Sequence, residues 1–128
     1  MGLVTGPTSV LIVEDDRKIL RVYSTSLEAE GYIVVEASNG QRAIEEVCTR
    51  NPDIILLDLG LPDIDGLALV PTIRANSAAP IIVVSAREQD ADKVKALDQG
   101  ANDYLKKPFD PDELVFRVEE LLAGRKRT

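Results

Sequence analysis

The chain has 128 residues, 22 of them acidic against 15 basic, for a net charge of −7. That length accommodates one ordinary domain, and the acidic balance argues against direct binding to nucleic acid, whose affinity for proteins comes from clustered Lys and Arg. There is no histidine, which excludes a Ser-His-Asp triad, an imidazole metal ligand and a phosphohistidine carried by this chain, and leaves carboxylates, lysine and hydroxyls to do any chemistry.

In chain order, "MGLVTGPTS" has neither the basic start nor the apolar stretch of an export signal, so a cytoplasmic address and a disordered lead-in over residues 1–7 are expected. The first strand-like run is "SVLIV" (9–13), followed by "EDD" and a helical pattern from Arg17 to Glu30. "YIVVEA" (32–37) and a helix over Gln41–Arg50 come next; Cys48, the single cysteine, is expected to pack in the core. "DIILLD" (53–58) then delivers Asp58 to the end of an apolar run. The third helical stretch, near Leu67–Ala75, contains Pro71, which predicts a late start or a kink. "PIIVVSA" (80–86), a helix over Asp90–Gln99, the weaker "DYLK" (103–106) and a helix over Pro111–Leu122 complete the pattern. The folded domain is expected over 8–123, with "GRKRT" (124–128) as a basic tail or the start of a linker. No apolar run approaches the roughly 20 residues of a membrane span, so no membrane role is expected.

Five strand-helix units in succession predict an α/β fold with a doubly wound, five-stranded parallel sheet. Glycines 31, 40 and 100 near helix ends and prolines 52 and 80 before strands agree with it. Such sheets bind ligands outside the carboxyl ends of their strands. Those ends carry Glu14 and Asp15, then Asp58, Ser85 and Lys107. Each has a plain reading on its own: a helix cap for the acids after the first strand, a turn residue for Asp58, a cap for Ser85, a surface lysine for Lys107. Together they predict one cluster. Three converging carboxylates repel and call for a cation, and an all-oxygen donor set favours a hard ion such as Mg2+. A carboxylate beside Mg2+ and lysine is suited to accept a phosphoryl group, and Asp58 is the best placed nucleophile.

"VLIVEDDRKI", "DIILLDLGLPDIDG" and "PIIVVSAREQDADKVKALDQGANDYLKKPFDPDEL" together resemble the receiver domain of bacterial two-component response regulators, over about Thr8 to Leu122. The spelling is most similar to receivers of winged-helix (OmpR/PhoB-type) transcription regulators. The resemblance implies the flavodoxin-like strand order 2-1-3-4-5 and a phosphoacceptor signalling domain, not an enzyme on outside substrates, that assists its own phosphorylation and dephosphorylation. It implies that Asp58 receives the phosphoryl group from a sensor histidine kinase or phosphotransfer protein. Asp15 would ligate Mg2+ directly, Glu14 through a water, and Gly60 by its carbonyl. Lys107, across a cis peptide to Pro108, would pair with the phosphoryl oxygens. Ser85 and Tyr104 would turn inward as the switch, changing the face formed by the fourth helix, fifth strand and fifth helix. That face would form a homodimer, with Lys93, Glu113, Asp103 and Arg117 in two of the usual ion pairs. A third pair fails, because Asn102 replaces an acid and Glu119 a base. Any DNA contact would need an effector domain outside this chain.

Glu88 and Gly60 are expected by the same analogy to affect the lifetime of the phosphorylated state. Rival readings fit less well. An aspartyl-nucleophile phosphatase wants a second acid where Gly60 stands, a flavin binder wants a hydroxyl- or glycine-rich loop where "EDD" stands, and a degenerate interaction module would not need the full set of acids, hydroxyl and lysine.

Overall fold

The computed structural model describes residues 7–87 and 90–126, with side chains through Gly124. Its elements alternate as β1 (Ser9–Val13), α1 (Arg17–Glu28), β2 (Ile33–Ala37), α2 (Gly40–Arg50), β3 (Ile54–Asp58), α3 (Gly66–Asn76), β4 (Ile81–Ser85), α4 (Asp90–Asp98), β5 (Asp103–Lys106) and α5 (Pro111–Lys126). The strands form one parallel sheet in the order β2-β1-β3-β4-β5. Because side chains alternate across a strand, the sheet divides two cores. Leu11, Val13, Ile55, Leu57, Ile81 and Val83 face Ala43, Val47, Leu69, Val70 and Ile73 of α2 and α3. On the other side Val10, Ile12, Ile54, Leu56, Ile82 and Val84 face Leu20, Leu27, Leu114 and Val118 of α1 and α5. All residues of β3 and β4 are buried, which is why both read as continuous apolar runs. No helix among the described residues is long and apolar enough to cross a membrane.

Register sets the site. Val13 lies beside Leu57 and Asp58 beside Val84, so the residues after β1 and at the end of β4 flank Asp58. Ser85 lies beside Lys106, and the Lys107 N–H continues the ladder to the Ser85 carbonyl at 2.8 Å.

Several expectations are corrected. Cys48 is exposed: α2 buries Gly40, Ala43 and Val47 on one face, and the next residue along a helix turns about 100° away from it. α1 ends at Glu28, two residues early, where Gly31 takes φ +92° and ends the turn. α3 does not start late; it begins at Gly66 and runs through Pro71, so the missing proline N–H leaves the Leu67 carbonyl without its usual helical donor. α5 continues through Gly124 to Lys126, since a glycine weakens a helix without stopping it. The expected lead-in lies, apart from Pro7, outside the described residues, as do Glu88 and the last two residues of the tail.

Asn102 serves the fold. Its Oδ1 accepts from the Ile81 N–H at 2.9 Å and from Arg74 Nη2 at 2.9 Å. The same guanidinium donates to the carbonyls of Ser77 (3.1 Å), Ala79 (2.6 Å) and Gly100 (2.7 Å), tying the end of α3 to the starts of β4 and β5.

Gly66 opens α3 against the end of β3, where an added Cβ would lie 2.5 Å from Leu59 Cα and 2.8 Å from the Asp58 carbonyl oxygen. Both are backbone atoms and cannot swing aside. Gly66→Ala is therefore expected to lower stability by about 1–3 kcal/mol in urea unfolding, the cost of overpacking a rigid contact.

Candidate functional site

Asp58 is the last residue of β3 and is buried. Glu14, just past β1, is 2% exposed, and Asp15 beside it is exposed. One carboxylate oxygen from each of the three lies within 4.8 Å of the others. The helix cap is a different residue: Asp16 accepts from the N–H groups of Lys18 and Ile19, so neither Glu14 nor Asp15 is needed to start α1. Glu14 Oε2 instead accepts from the Asp16 N–H at 3.2 Å.

Lys107 enters from the β5–α5 connection. Its Nζ lies 3.0 Å from Glu14 Oε1 and 3.4 Å from Asp58 Oδ1. The Lys107–Pro108 peptide is cis, and Phe109 stacks on Tyr23 of α1 with centroids 5.5 Å apart. Burial pulls the Lys107 ammonium toward a lower pKa, but the Glu14 hydrogen bond and the charges of Asp58 and Glu14 outweigh it and the net shift is upward. Glu14 is raised, first by burial and further by the Asp58 charge, against the lowering hydrogen bond from Lys107. Burial raises the Tyr23 phenol to about 12. An all-oxygen donor set with a crowded, partly desolvated carboxylate fits a divalent cation, which could bind at Glu14, Asp15 and Asp58.

The remaining expected residues are placed as follows. A Cβ on Gly60 would lie 3.7 Å from Asp58 Oδ2, so its backbone adjoins the carboxylate. Ser85 is 1% exposed and its Oγ accepts from the Arg87 N–H at 2.9 Å. Tyr104 already packs against the core beneath α2–α4, its hydroxyl buried without a hydrogen-bond partner. Lys93 is exposed on α4. Arg117 donates within its own chain to Asp103 (2.8 Å) and Glu113 (3.2 Å), with the Asp103 hydrogen bond holding its pKa up.

Three neighbours were not singled out from the sequence. Asp63 accepts from the N–H groups of Gly40 (2.8 Å) and Gln41 (3.0 Å), capping α2 from another loop, and these bonds lower its pKa. Asp65 caps α3 through the Leu67 N–H at 3.0 Å; that bond, against burial and aided by Arg87, lowers its pKa as well. Arg87 reaches Asp65 and the Leu59 carbonyl. The acids of "LPDIDG" are a visible signal for caps, but which helix each serves depends on contacts far apart in sequence.

The family model for the response regulator receiver domain matches residues 10–119. The chain belongs to that family. It is 50% identical over 121 residues to the KDP operon transcriptional regulatory protein KdpE of Escherichia coli, covering 94% of this chain and 54% of the relative. It is 40% identical over 124 residues to the transcriptional regulatory protein ResD of Bacillus subtilis, covering 97% and 52%. The receiver domain thus spans about half the length of the curated relatives it matches. Among solved structures, a CheY-like response regulator receiver domain protein from Methanospirillum hungatei superposes with a TM-score of 0.91 at 28% identity, covering 95% of this chain and 98% of that one. The BeF3-activated receiver domain of Klebsiella pneumoniae RstA gives 0.85 at 30% identity, covering 90% and 98%.

The raised Glu14 pKa means that the folded receiver holds that proton to higher pH than the unfolded chain. This contribution to stability is complete below the ordinary value of 4.5 and is lost as pH rises through the folded value. Burial of the Glu14 carboxylate, with the Asp58 charge adding to it, therefore costs stability at neutral pH. Asp58→Asn is expected to raise unfolding stability by about 1 kcal/mol at neutral pH, with the gain shrinking as pH falls into the carboxylate range; urea titrations across pH check this.

Proposed function

We propose that this receiver takes a phosphoryl group onto Asp58 from a phosphohistidine of a sensor histidine kinase or phosphotransfer protein. The observation that carries the reading is Lys107 Nζ held between Glu14 and Asp58, whose carboxylates lie together with that of Asp15. An Asp58 oxygen would form the bond to phosphorus as the phosphorus–nitrogen bond breaks, leaving the electron pair on the partner's imidazole. Lys107 would then move its hydrogen bonding to the phosphoryl oxygens. Asp15, Asp58 and the Gly60 carbonyl, with Glu14 acting through a water, would hold Mg2+, which would supply positive charge to offset that of the transferring oxygens. The same groups would assist loss of the phosphoryl group to water, so the domain promotes its own turnover without acting on other substrates.

Ser85 and Tyr104 form the switch in this reading. Ser85 gives up the Arg87 N–H to reach the phosphoryl group, and Tyr104 has a buried hydroxyl with no partner to lose. The output face is α4-β5-α5, where Val94, Leu97 and Phe116 are exposed apolar residues and Lys93, Asp103, Glu113 and Arg117 supply charges for a homodimer. Cytoplasmic transcription control is the output proposed, from the transcriptional regulatory proteins it is similar to, with DNA bound only through an effector domain.

Incubation with acetyl phosphate and Mg2+ is expected to add one phosphoryl group by intact mass, none in chelator and none in Asp58→Asn. Lys107→Ala is expected to slow the reaction by about 10²-fold, the scale for removing one charge-stabilising donor. An adduct that persists in Asp58→Asn would overturn the reading.

A further inference from the structure

The β4–α4 and β3–α3 connections are joined above the site by one side chain. Arg87, two residues past Ser85, places Nη2 3.0 Å from Asp65 Oδ1 and 3.3 Å from the Leu59 carbonyl oxygen. Its backbone N–H donates to Ser85 Oγ at 2.9 Å. One residue therefore holds Ser85 Oγ toward the β4–α4 connection and bridges to the residue next to Asp58.

The ion pair is weak by design of its surroundings. The Arg87 and Asp65 side chains are 34% and 54% exposed, and pairs that wet contribute little. A phosphoryl group on Asp58 would add a charge of about −2 one residue from where the guanidinium already rests. The Lys107 ammonium is already shared between Glu14 and Asp58. An anion of that charge is a better partner for an arginine fork than a half-wet carboxylate.

We infer that Arg87 is a phosphorylation-sensitive latch. Asp65 holds its guanidinium while Asp58 is unmodified; phosphorylation draws it to the phosphoryl oxygens, which shifts the Arg87 backbone off Ser85 Oγ and releases that hydroxyl. Arg87 is thus a positioning residue for Ser85 and a direct contact for the phosphorylated state. This rests on Asp58 being the phosphoacceptor.

The two ends of the ion pair then have opposite effects, which a merely structural contact would not produce. The probe is beryllofluoride, a phosphoryl mimic, titrated with Mg2+ and followed by tyrosine fluorescence. Asp65→Asn keeps an acceptor for the Leu67 N–H but removes the charge, and is expected to tighten beryllofluoride binding by about two- to fivefold, the range for a partly exposed ion pair. Asp65→Ser, a second uncharged cap, is expected to match it. Arg87→Gln is expected to weaken binding, and the double variant to match Arg87→Gln, because without the guanidinium there is nothing for Asp65 to restrain. Single variants that shift in the same direction, or an Asp65→Asn gain that survives in the Arg87→Gln background, overturn the latch alone. A wild-type protein that binds no beryllofluoride with Mg2+ overturns the phosphoacceptor reading, and the latch with it.

Discussion

Three carboxylates and one ammonium share the end of a buried strand, and much of the rest of the molecule is the scaffold that keeps them there. Left to itself, that arrangement is unfavourable: Glu14 is desolvated and stands beside Asp58, and Lys107 can face only two of the three acids closely. The repulsion is opposed by two apolar cores, one on each side of the sheet, that fix β1 and β3 in register. A site built this way stores a preference for added positive charge, or for charge that can be shared with an incoming group. The folding free energy of the cores holds the acids together before any ligand arrives.

The loops around the cluster are also held from outside it. Asp63 ties the β3–α3 connection to the start of α2, Asp65 ties it to the start of α3, and Ile64 packs so closely on Gly40 that an added Cβ would lie 3.0 Å from Ile64 Cδ1. On the other side, the Tyr23–Phe109 stack links α1 to the segment that carries Lys107. The connection that follows Asp58 is therefore anchored by caps, and the one that carries Lys107 by a ring contact.

The fold was legible because the wholly buried strands β3 and β4 leave an unmistakable apolar run, and because acids, a hydroxyl and a lysine stand at the ends of β1, β3, β4 and β5 in chain order. Asp58, Asp15 and Lys107 could be named from that pattern alone. What pattern could not supply was direction around a helix axis and partnership across loops. Cys48 looked like core because it lies in a helical stretch, yet one step past Val47 is enough to face water. Pro71 pointed to a late start or a kink, yet the helix starts early, at Asp65 and Gly66, with Leu67, Leu69, Val70 and Ile73 buried around the proline. Asn102 looked like a missing surface charge because its two partners, Arg74 and the Ile81 N–H, lie at least 21 residues away. Arg87 was passed over because its acceptors belong to a different connection.

Arg74 illustrates how a charged residue can be retained for its shape. Its guanidinium spreads donors over three carbonyls and one side-chain amide, and burial lowers its pKa, an indication that no carboxylate accounts for its presence. A lysine there would keep the charge but concentrate its donors at one point, unable to span the turn after α3 and the start of β5 together. Substitution at this position is therefore constrained by planar geometry rather than by electrostatics, and any change at Asn102 narrows the choices at Arg74 in turn. The two are coupled through one hydrogen bond, 28 residues apart, at the end of the sheet opposite the chemistry.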